Sequence, residues 1–216
     1  MTAHSPIPDY AAARRAMVEN QLRPVGVTDP AVIEAMGAIE RERFVPDEAR
    51  PLAYGDRAVP LGDGRFLPPP SVLGQLLTQM APEPGQRALV VGAGTGYSAA
   101  VLARMGLDVV ALESSAGLAA RARELGIAVV EGPLEAGWRK GAPYRQILVD
   151  GAIEVIPDAI VGQLDEGGRL GAALLDRSIA RLILGRKSGG AFGYLSLADA
   201  GTPALPGFAR PPIFTF

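Results

Sequence analysis

The sequence contains no cysteine and a single histidine, His4. Without thiols the chain can form no disulfide, thiolate nucleophile or cysteine–zinc site. One histidine near the N-terminus also argues against a serine–histidine pair or a histidine-based metal site, so we expect no metal. The net charge is only −2. The sequence thus lacks the strong basic character that is typical of nucleic-acid binding, and we expect no nucleic-acid partner.

Long apolar runs are also missing. No stretch reaches the roughly 18 to 20 apolar residues that span a bilayer, and the first residues lack the apolar core of a signal peptide. We therefore predict a cytoplasmic protein without a membrane segment. The 216 residues, 48% of them hydrophobic, are enough to bury a sizeable core. We expect residues 1–80 to form a helical cap with a substrate-side loop, not an independent domain, and residues 81–216 to form an α/β core.

Helix-like and strand-like segments alternate in the middle of the chain. The predicted strands are 87–91, 108–112, 127–130, 146–149 and 169–174, and the predicted helices between them are 97–105, 116–125 and 157–164. Such alternation is typical of a parallel sheet with helices on both faces, so we predict an α/β fold of the Rossmann-like, doubly wound class.

The two ends of the chain depart from this alternation. Apolar spacing predicts helices over 10–22, from Pro30 onward and over 71–80, which would form the cap. Residues 44–70 are rich in turn formers and predict an extended loop. Two strand-like segments joined by Ser188-Gly189-Gly190 predict a C-terminal antiparallel hairpin, and the tail 201–216 predicts irregular extended chain.

Three alternate glycines, Gly92, Gly94 and Gly96, follow the first strand of the predicted core. Glycine lets a ligand approach the backbone, and the helix that begins next offers unpaired N–H groups. A dinucleotide fingerprint would put its third glycine at position 97, which is Tyr97. The alternate spacing resembles motif I of S-adenosylmethionine methyltransferases, with a nicotinamide enzyme of the same fold as the alternative. The predicted cofactor contacts in this loop are Gly92, Ala93, Gly94, Thr95 and Gly96.

Further candidate cofactor residues follow the next strands. Glu113 ends the second strand, where an acid can accept hydrogen bonds from ribose hydroxyls, and Ser114 lies beside it; a solvated loop glutamate is the alternative. After the third strand, Gly132, Pro133 and Leu134 border the expected adenine position, or form a plain turn. Asp150 follows the fourth strand, where substrate and methyl group would meet, although it could also serve only as a loop cap.

Several longer motifs resemble the protein-L-isoaspartate O-methyltransferase family over most of residues 15–175. They are Phe44-Val45-Pro46 with Tyr54 and Asp56, the segment 91–103, Gly137-Trp138, Ala142-Pro143-Tyr144, Ile156-Pro157-Asp158-Ala159, Gln163-Leu164 and Gly167-Gly168-Arg169-Leu170. The resemblance implies a repair enzyme that transfers a methyl group from S-adenosylmethionine to isoaspartyl carboxylates of damaged protein. The second product would be S-adenosylhomocysteine.

The match fails on the acceptor side. The family carries a Thr-x-Ser pair before the first core helix, and its serine is usually assigned to catalysis; here Phe66 and Pro68 stand at those positions. Pro133 stands where the family has an aspartate that contacts adenine. The catalytic residue is therefore unknown from the sequence. The candidates are Arg65, which could pair with a carboxylate or be a solvated loop residue, Ser71 and Asp150.

Loss of these hydroxyls leaves three hypotheses open. A carboxylate is already an anion at neutral pH and needs no general base, so positioning alone could sustain methyl transfer. The leading hypothesis is isoaspartyl repair on a protein or peptide. The alternatives are a methyltransferase for a more apolar or small-molecule acceptor, and a non-catalytic cofactor-binding homologue. The sequence does not determine the acceptor or the oligomeric state.

Overall fold

The computed structural model describes residues 9–210; His4 and the last part of the tail, 211–216, lie outside them. The helices are α1 (Tyr10–Met17), α2 (Pro30–Ala38), α3 (Pro70–Met80), α4 (Tyr97–Arg104), α5 (Ala116–Glu124) and α6 (Asp158–Val161). The strands are β1 (Val59–Gly62), β2 (Arg65–Leu67), β3 (Arg87–Val91), β4 (Asp108–Glu113), β5 (Val129–Glu131), β6 (Tyr144–Ile153), β7 (Leu164–Asp176), β8 (Ile179–Ser188) and β9 (Ala191–Ala200).

The main sheet has seven strands in the order β5-β4-β3-β6-β7-β8-β9. Strands β5, β4, β3, β6 and β7 are parallel, and β8 and β9 add to the edge as an antiparallel hairpin. This arrangement confirms the predicted α/β fold and the C-terminal hairpin. The chain runs outward from β3 to β5 and then crosses to β6 on the other side of β3. The order reverses between β3 and β6, and ligands of open α/β sheets bind outside the carboxyl ends of the strands at such a point.

The two faces of the sheet are covered differently. In β3, Ala88 and Val90 pack into a large cluster with residues of the N-terminal helices and α4. Leu89 and Val91 face the other side, where the cover is made by the turns after β5, by α6 and by the tail. The large cluster joins α1, α3 and the sheet, since Met17, Leu77 and Leu148 all belong to it. The division of the chain at residue 80 stays a prediction.

The N-terminal helices follow the predicted positions closely. The predicted helix 10–22 is α-helical in α1 and continues as a π-helical turn over Val18–Leu22. Helix α2 begins at Pro30 after Asp29, whose carboxylate accepts the N–H groups of Ala31 and Val32. Within residues 9–210, no helix is both long and apolar enough to cross a bilayer.

Two predictions of local structure are wrong. The loop 44–70 contains the hairpin β1–β2, whose tip has Asp63 and Gly64 at φ +51° and +67°. The predicted helix 157–164 is only the single turn α6. The N–H of Gly162 closes that turn on Asp158 O at 2.8 Å, and β7 begins two residues later, at Leu164. The Gln163 side chain, outside that turn, donates to Ala136 O at 2.7 Å.

Candidate functional site

The glycine loop, residues 92–96, connects β3 to α4 at the carboxyl edge of the sheet. The N–H groups of Gly92 and Ala93 donate to Leu112 O at 2.9 and 3.0 Å, which holds the loop on the end of β4. Gly92, Gly94 and Gly96 have φ values of +78°, +57° and +96°, a region that residues with a Cβ rarely adopt. The loop conformation therefore depends on these glycines.

Thr95, also predicted to contact the cofactor, connects the loop to the N-terminal region. Its hydroxyl donates to Phe44 O at 2.5 Å, so the Phe44-Val45-Pro46 motif lies directly on the glycine loop. This bond gives the threonine a structural role within the protein. A contact between Thr95 and a cofactor stays a prediction.

Glu113 lies at the end of β4 and is fully buried. Its Oε2 accepts the N–H of Gly94 at 2.6 Å, and its Oε1 accepts the N–H groups of Ser114 and Ser115 at 2.8 and 3.0 Å. The structure thus brings the predicted acid and the predicted glycine loop into direct contact. We call residues 92–96 together with Glu113 the binding frame; its role in binding a cofactor stays a prediction.

Arg65 lies inside this frame. Its Nη1 donates to Glu113 Oε1 at 2.6 Å and its Nη2 donates to Gly92 O at 2.7 Å. Arg65 is 2% exposed, so the alternative of a solvated loop arginine is wrong. The side chain was a candidate for binding an acceptor carboxylate, but in this structure its partner is a carboxylate of the protein itself.

The tail crosses the carboxyl end of β6; from the sequence it could either fold over the cofactor or only brace the sheet. Ala152 N donates to Pro203 O at 2.9 Å, and Leu205 N donates to Ala152 O at 2.7 Å. The Leu205 side chain is buried between Gly92 and Gly151: a Cβ on these glycines would lie 3.1 and 2.5 Å from Leu205 carbons. In the sequence, Leu205 stands with Ala204 between two prolines, a pattern that does not indicate a partner.

Asp150 lies beside α4, the helix that follows the glycine loop. The Ser98 hydroxyl donates to its Oδ2 at 2.6 Å. Burial raises the pKa of Asp150 from 3.8 to about 6, while the hydrogen bond from Ser98 and the nearby charges of Arg65 and Arg41 oppose that rise. The carboxyl is therefore mostly, but not wholly, ionised at neutral pH.

Arg41 is a buried residue of the site that the sequence did not reveal. Its Nε donates to Ala53 O at 2.7 Å and its Nη2 donates to Pro68 O, so the guanidinium holds the proline-rich loop. The same group lies 4.6 Å from the ring centroid of Tyr97. An arginine just before the turn-rich segment gives no hint of such burial, because its partners are carbonyls distant along the chain.

The other predicted site residues are placed at the margins of the frame. Gly132 N donates to Glu113 O at 3.2 Å, Pro133 precedes the single turn Leu134–Ala136, and Leu134 is 1% exposed in the cluster beneath the sheet. Ser71, in the first turn of α3, donates its N–H to Asp56 Oδ1 at 3.1 Å. In the described part of the chain, Ser71 makes no hydrogen bond to Glu113, Asp150 or the glycine loop.

A cavity of about 520 Å³ borders the glycine loop at Thr95. Its lining residues are Val45, Pro46, Asp47, Arg50, Leu61, Thr95, Gly117, Leu118 and Arg121. Gly92 and Glu113 are not in this lining, because Arg65 and Leu205 cover them. The open space of the site therefore lies next to the binding frame and not inside it.

Comparisons with known proteins agree with this geometry. A family model described as protein-L-isoaspartate(D-aspartate) O-methyltransferase matches residues 12–190. A protein-L-isoaspartate O-methyltransferase of Methylorubrum extorquens (strain PA1) is 47% identical over 175 residues, 78% of this chain and 77% of that protein. One of Methylorubrum populi is 44% identical over 165 residues, 74% of this chain and 78% of that protein.

A solved structure shares the fold. A putative protein-L-isoaspartate O-methyltransferase from Plasmodium falciparum, solved in complex with S-adenosyl-L-homocysteine, superposes with a TM-score of 0.77 at 21% identity, and the match covers 89% of this chain and 97% of that one. The family match, which spans both the glycine loop and Glu113, together with the identity to the bacterial relatives, assigns the sequence. The chain belongs to the protein-L-isoaspartate(D-aspartate) O-methyltransferase family.

Proposed function

We propose that this protein is an S-adenosylmethionine-dependent carboxyl O-methyltransferase that esterifies isoaspartyl residues of proteins or peptides. The observation that carries the proposal is the family match over residues 12–190, which includes the complete binding frame. Relatives at 47% and 44% identity bear the name of this activity. Location in the cytoplasm stays a prediction from the sequence.

The binding frame suits the cofactor in its chemistry. Glu113 presents a buried carboxylate at the end of β4, which would accept the ribose hydroxyls, and the backbone of the glycine loop lies beside it. Gly132, Pro133 and Leu134 would border the base. The fit requires Arg65 and Leu205 to leave, since both lie against Gly92.

When bound, S-adenosylmethionine supplies a methyl group on a sulfonium: a carboxylate oxygen forms the new C–O bond as the C–S bond breaks, the electron pair stays on sulfur, and S-adenosylhomocysteine leaves. The acceptor carboxylate is ionised at neutral pH, so no residue of this chain needs to remove a proton. The protein's contribution is to position the acceptor and exclude water, which can lower a barrier by about 7 to 11 kcal/mol in favourable cases.

Two observations favour alternatives at the same site. Phe66 and Pro68 offer no hydroxyl to an isoaspartyl carboxylate, which favours a more apolar or a small-molecule acceptor. The burial of Arg65 and Leu205 against the frame favours a family member without turnover. A methylation assay with matched peptides distinguishes these alternatives from repair.

The test uses the full chain with radiolabelled S-adenosylmethionine and two peptides that differ only in one aspartyl or isoaspartyl linkage. We expect base-labile label on the isoaspartyl peptide alone. Cofactor binding with label on neither peptide would reject repair and favour another acceptor or a non-catalytic role. Equal label on both peptides would reject specificity for the isoaspartyl linkage.

A pair of glutamates provides a matched control. Glu113 and Glu131 are register partners on adjacent strands, but Glu113 is buried and Glu131 is exposed. We expect Glu113→Gln to reduce labelling at limiting cofactor by about tenfold or more, because a hydrogen bond to a charged group contributes about 1.5 to 3 kcal/mol. Glu131→Gln should label like the unmodified chain.

A further inference from the structure

Leu205 occupies space that the glycines of this fold leave free. A Cβ on Gly151 would lie 2.5 Å from Leu205 Cγ, and one on Gly92 would lie 3.1 Å from both Leu205 methyl carbons. Glycine at such a position allows a ligand to approach the backbone closely. Here the side chain of Leu205 makes that approach, from the tail that comes after the last strand, β9.

Arg65 occupies the hydrogen-bonding side of the same space. Glu113 Oε1 accepts Arg65 as well as the N–H groups of Ser114 and Ser115, and Oε2 accepts the N–H of Gly94. A carboxylate has about four acceptor positions. Three of the four donors share Oε1, so a ribose hydroxyl cannot bond to that oxygen until Arg65 moves away.

Both contacts come from segments outside the parallel strands of the main sheet. Arg65 belongs to the hairpin β1–β2, and its Nε is buried without a hydrogen-bond partner among the described residues, which weakens the closed arrangement. The tail is held near Leu205 by two backbone hydrogen bonds to Ala152. The residues next to Leu205, Ala204 and Pro206, are exposed.

We propose that Arg65 and Leu205 form a closed gate over the binding frame and set the affinity for the cofactor. Arg65 covers the carboxylate that binds the ribose, and Leu205 covers the glycine backbone at Gly92 and Gly151. The cofactor binds only to the minor population in which both side chains have turned away. The inference rests on the proposed function, because it assigns the frame to S-adenosylmethionine and its product.

The affinity for S-adenosylhomocysteine, measured by calorimetry, tests the gate without requiring turnover. An open state populated at about 0.1 to 10% weakens apparent binding by about ten- to a thousandfold. We therefore expect Arg65→Gln and Leu205→Ala each to bind at least about tenfold more tightly than the unmodified chain. Arg65→Lys keeps the positive charge beside Glu113 and should restore weak binding.

Exposed residues of the same segments serve as controls. Arg57→Gln removes an exposed arginine just before the hairpin, and Pro206→Ala changes the exposed neighbour of Leu205; both should bind like the unmodified chain. Binding by the unmodified chain as tight as that of both gate variants would overturn the gate and leave the proposed function intact. No binding by the unmodified chain or either gate variant would overturn the gate and the assigned cofactor together.

Discussion

The binding frame and the side chains that cover it are held in place by different forces. The frame depends on hydrogen bonds donated by backbone N–H groups, from Gly92 and Ala93 to Leu112 O and from Gly94 to the Glu113 carboxylate. Its cover consists of Leu61, Arg65 and Leu205, which approach the frame with the ends of their side chains. The frame can therefore remain constant while the cover changes. In this protein the hairpin β1–β2, which carries Arg65, and the tail, which carries Leu205, control access to the frame.

The largest expected effect tests the rigidity of the frame. Gly96 has φ +96°, and a Cβ there would lie 2.7 Å from Ile127. We expect Gly96→Ala to lower the free energy of unfolding by about 3 kcal/mol, because the left-handed conformation costs about 1 to 2 kcal/mol and crowding adds a similar amount. Urea denaturation measures this change.

Gly189 is the control for Gly96, because a substitution there would meet the backbone strain without the crowding. It lies in the hairpin turn between β8 and β9 with φ +61°, and a Cβ added there would have no atom within 4 Å. Gly189→Ala should cost only about 1 kcal/mol. Equal losses for the two variants would show that the frame is no more tightly packed than an exposed turn.

The next effect concerns Asp150, between the frame and the tail. Its pKa is raised in the folded protein, from 3.8 to about 6, so its protonated form stabilises the fold. This contribution is complete below about pH 4 and is lost as the pH rises through about 6; it amounts to at most about 3 kcal/mol. Asp150→Asn should remove this loss, so that the variant gains stability relative to the unmodified chain between about pH 4 and pH 7.

Unfolding measured at several pH values checks this prediction. Asp176→Asn, at the exposed end of β7, is the control and should keep the pH dependence of the unmodified chain. If Asp150→Asn also keeps it, the carboxyl is not desolvated in solution, and the contact between tail and frame is looser than in this structure.

The smallest effect concerns the attachment of the cover. The Ser115 hydroxyl donates to Asp63 Oδ2 at the hairpin tip and accepts the N–H of Leu118 as the N-cap of α5. We expect Ser115→Ala to lower stability by about 1 kcal/mol, mainly through loss of the cap. Ser114→Ala is the control, since its hydroxyl lies 3.4 Å from Glu113 and is exposed; equal losses would argue against the cap.

The sequence predicted the frame better than the cover, for a physical reason. Alternating strands and helices, alternate glycines and a strand-terminal acid are local patterns, and the fold confirms the sheet that they predicted. The pair between Arg65 and Glu113 joins residues 48 positions apart. Local periodicity indicates which face of an element is buried, but it does not identify a partner at that distance.

The hairpin β1–β2 and the contact of Leu205 were not predicted for the same reason. Asp63-Gly64 is a turn signal for a hairpin, yet the adjacent prolines favoured an extended loop. Leu205 has no neighbouring pattern at all, since its burial depends on two glycines of other segments. Contacts of this kind became visible only in three dimensions.

Hydrogen exchange at Ala152 and over residues 201–210, with and without S-adenosylhomocysteine, tests the gate most directly. The N–H groups of Ala152 and Leu205 take part in the hydrogen bonds that hold the tail on β6. We expect the ligand to speed exchange at both, because Leu205 must leave Gly92 when the frame is filled. Slower exchange at these two amides on ligand binding would contradict the account, since the tail would then stay in place over a filled frame.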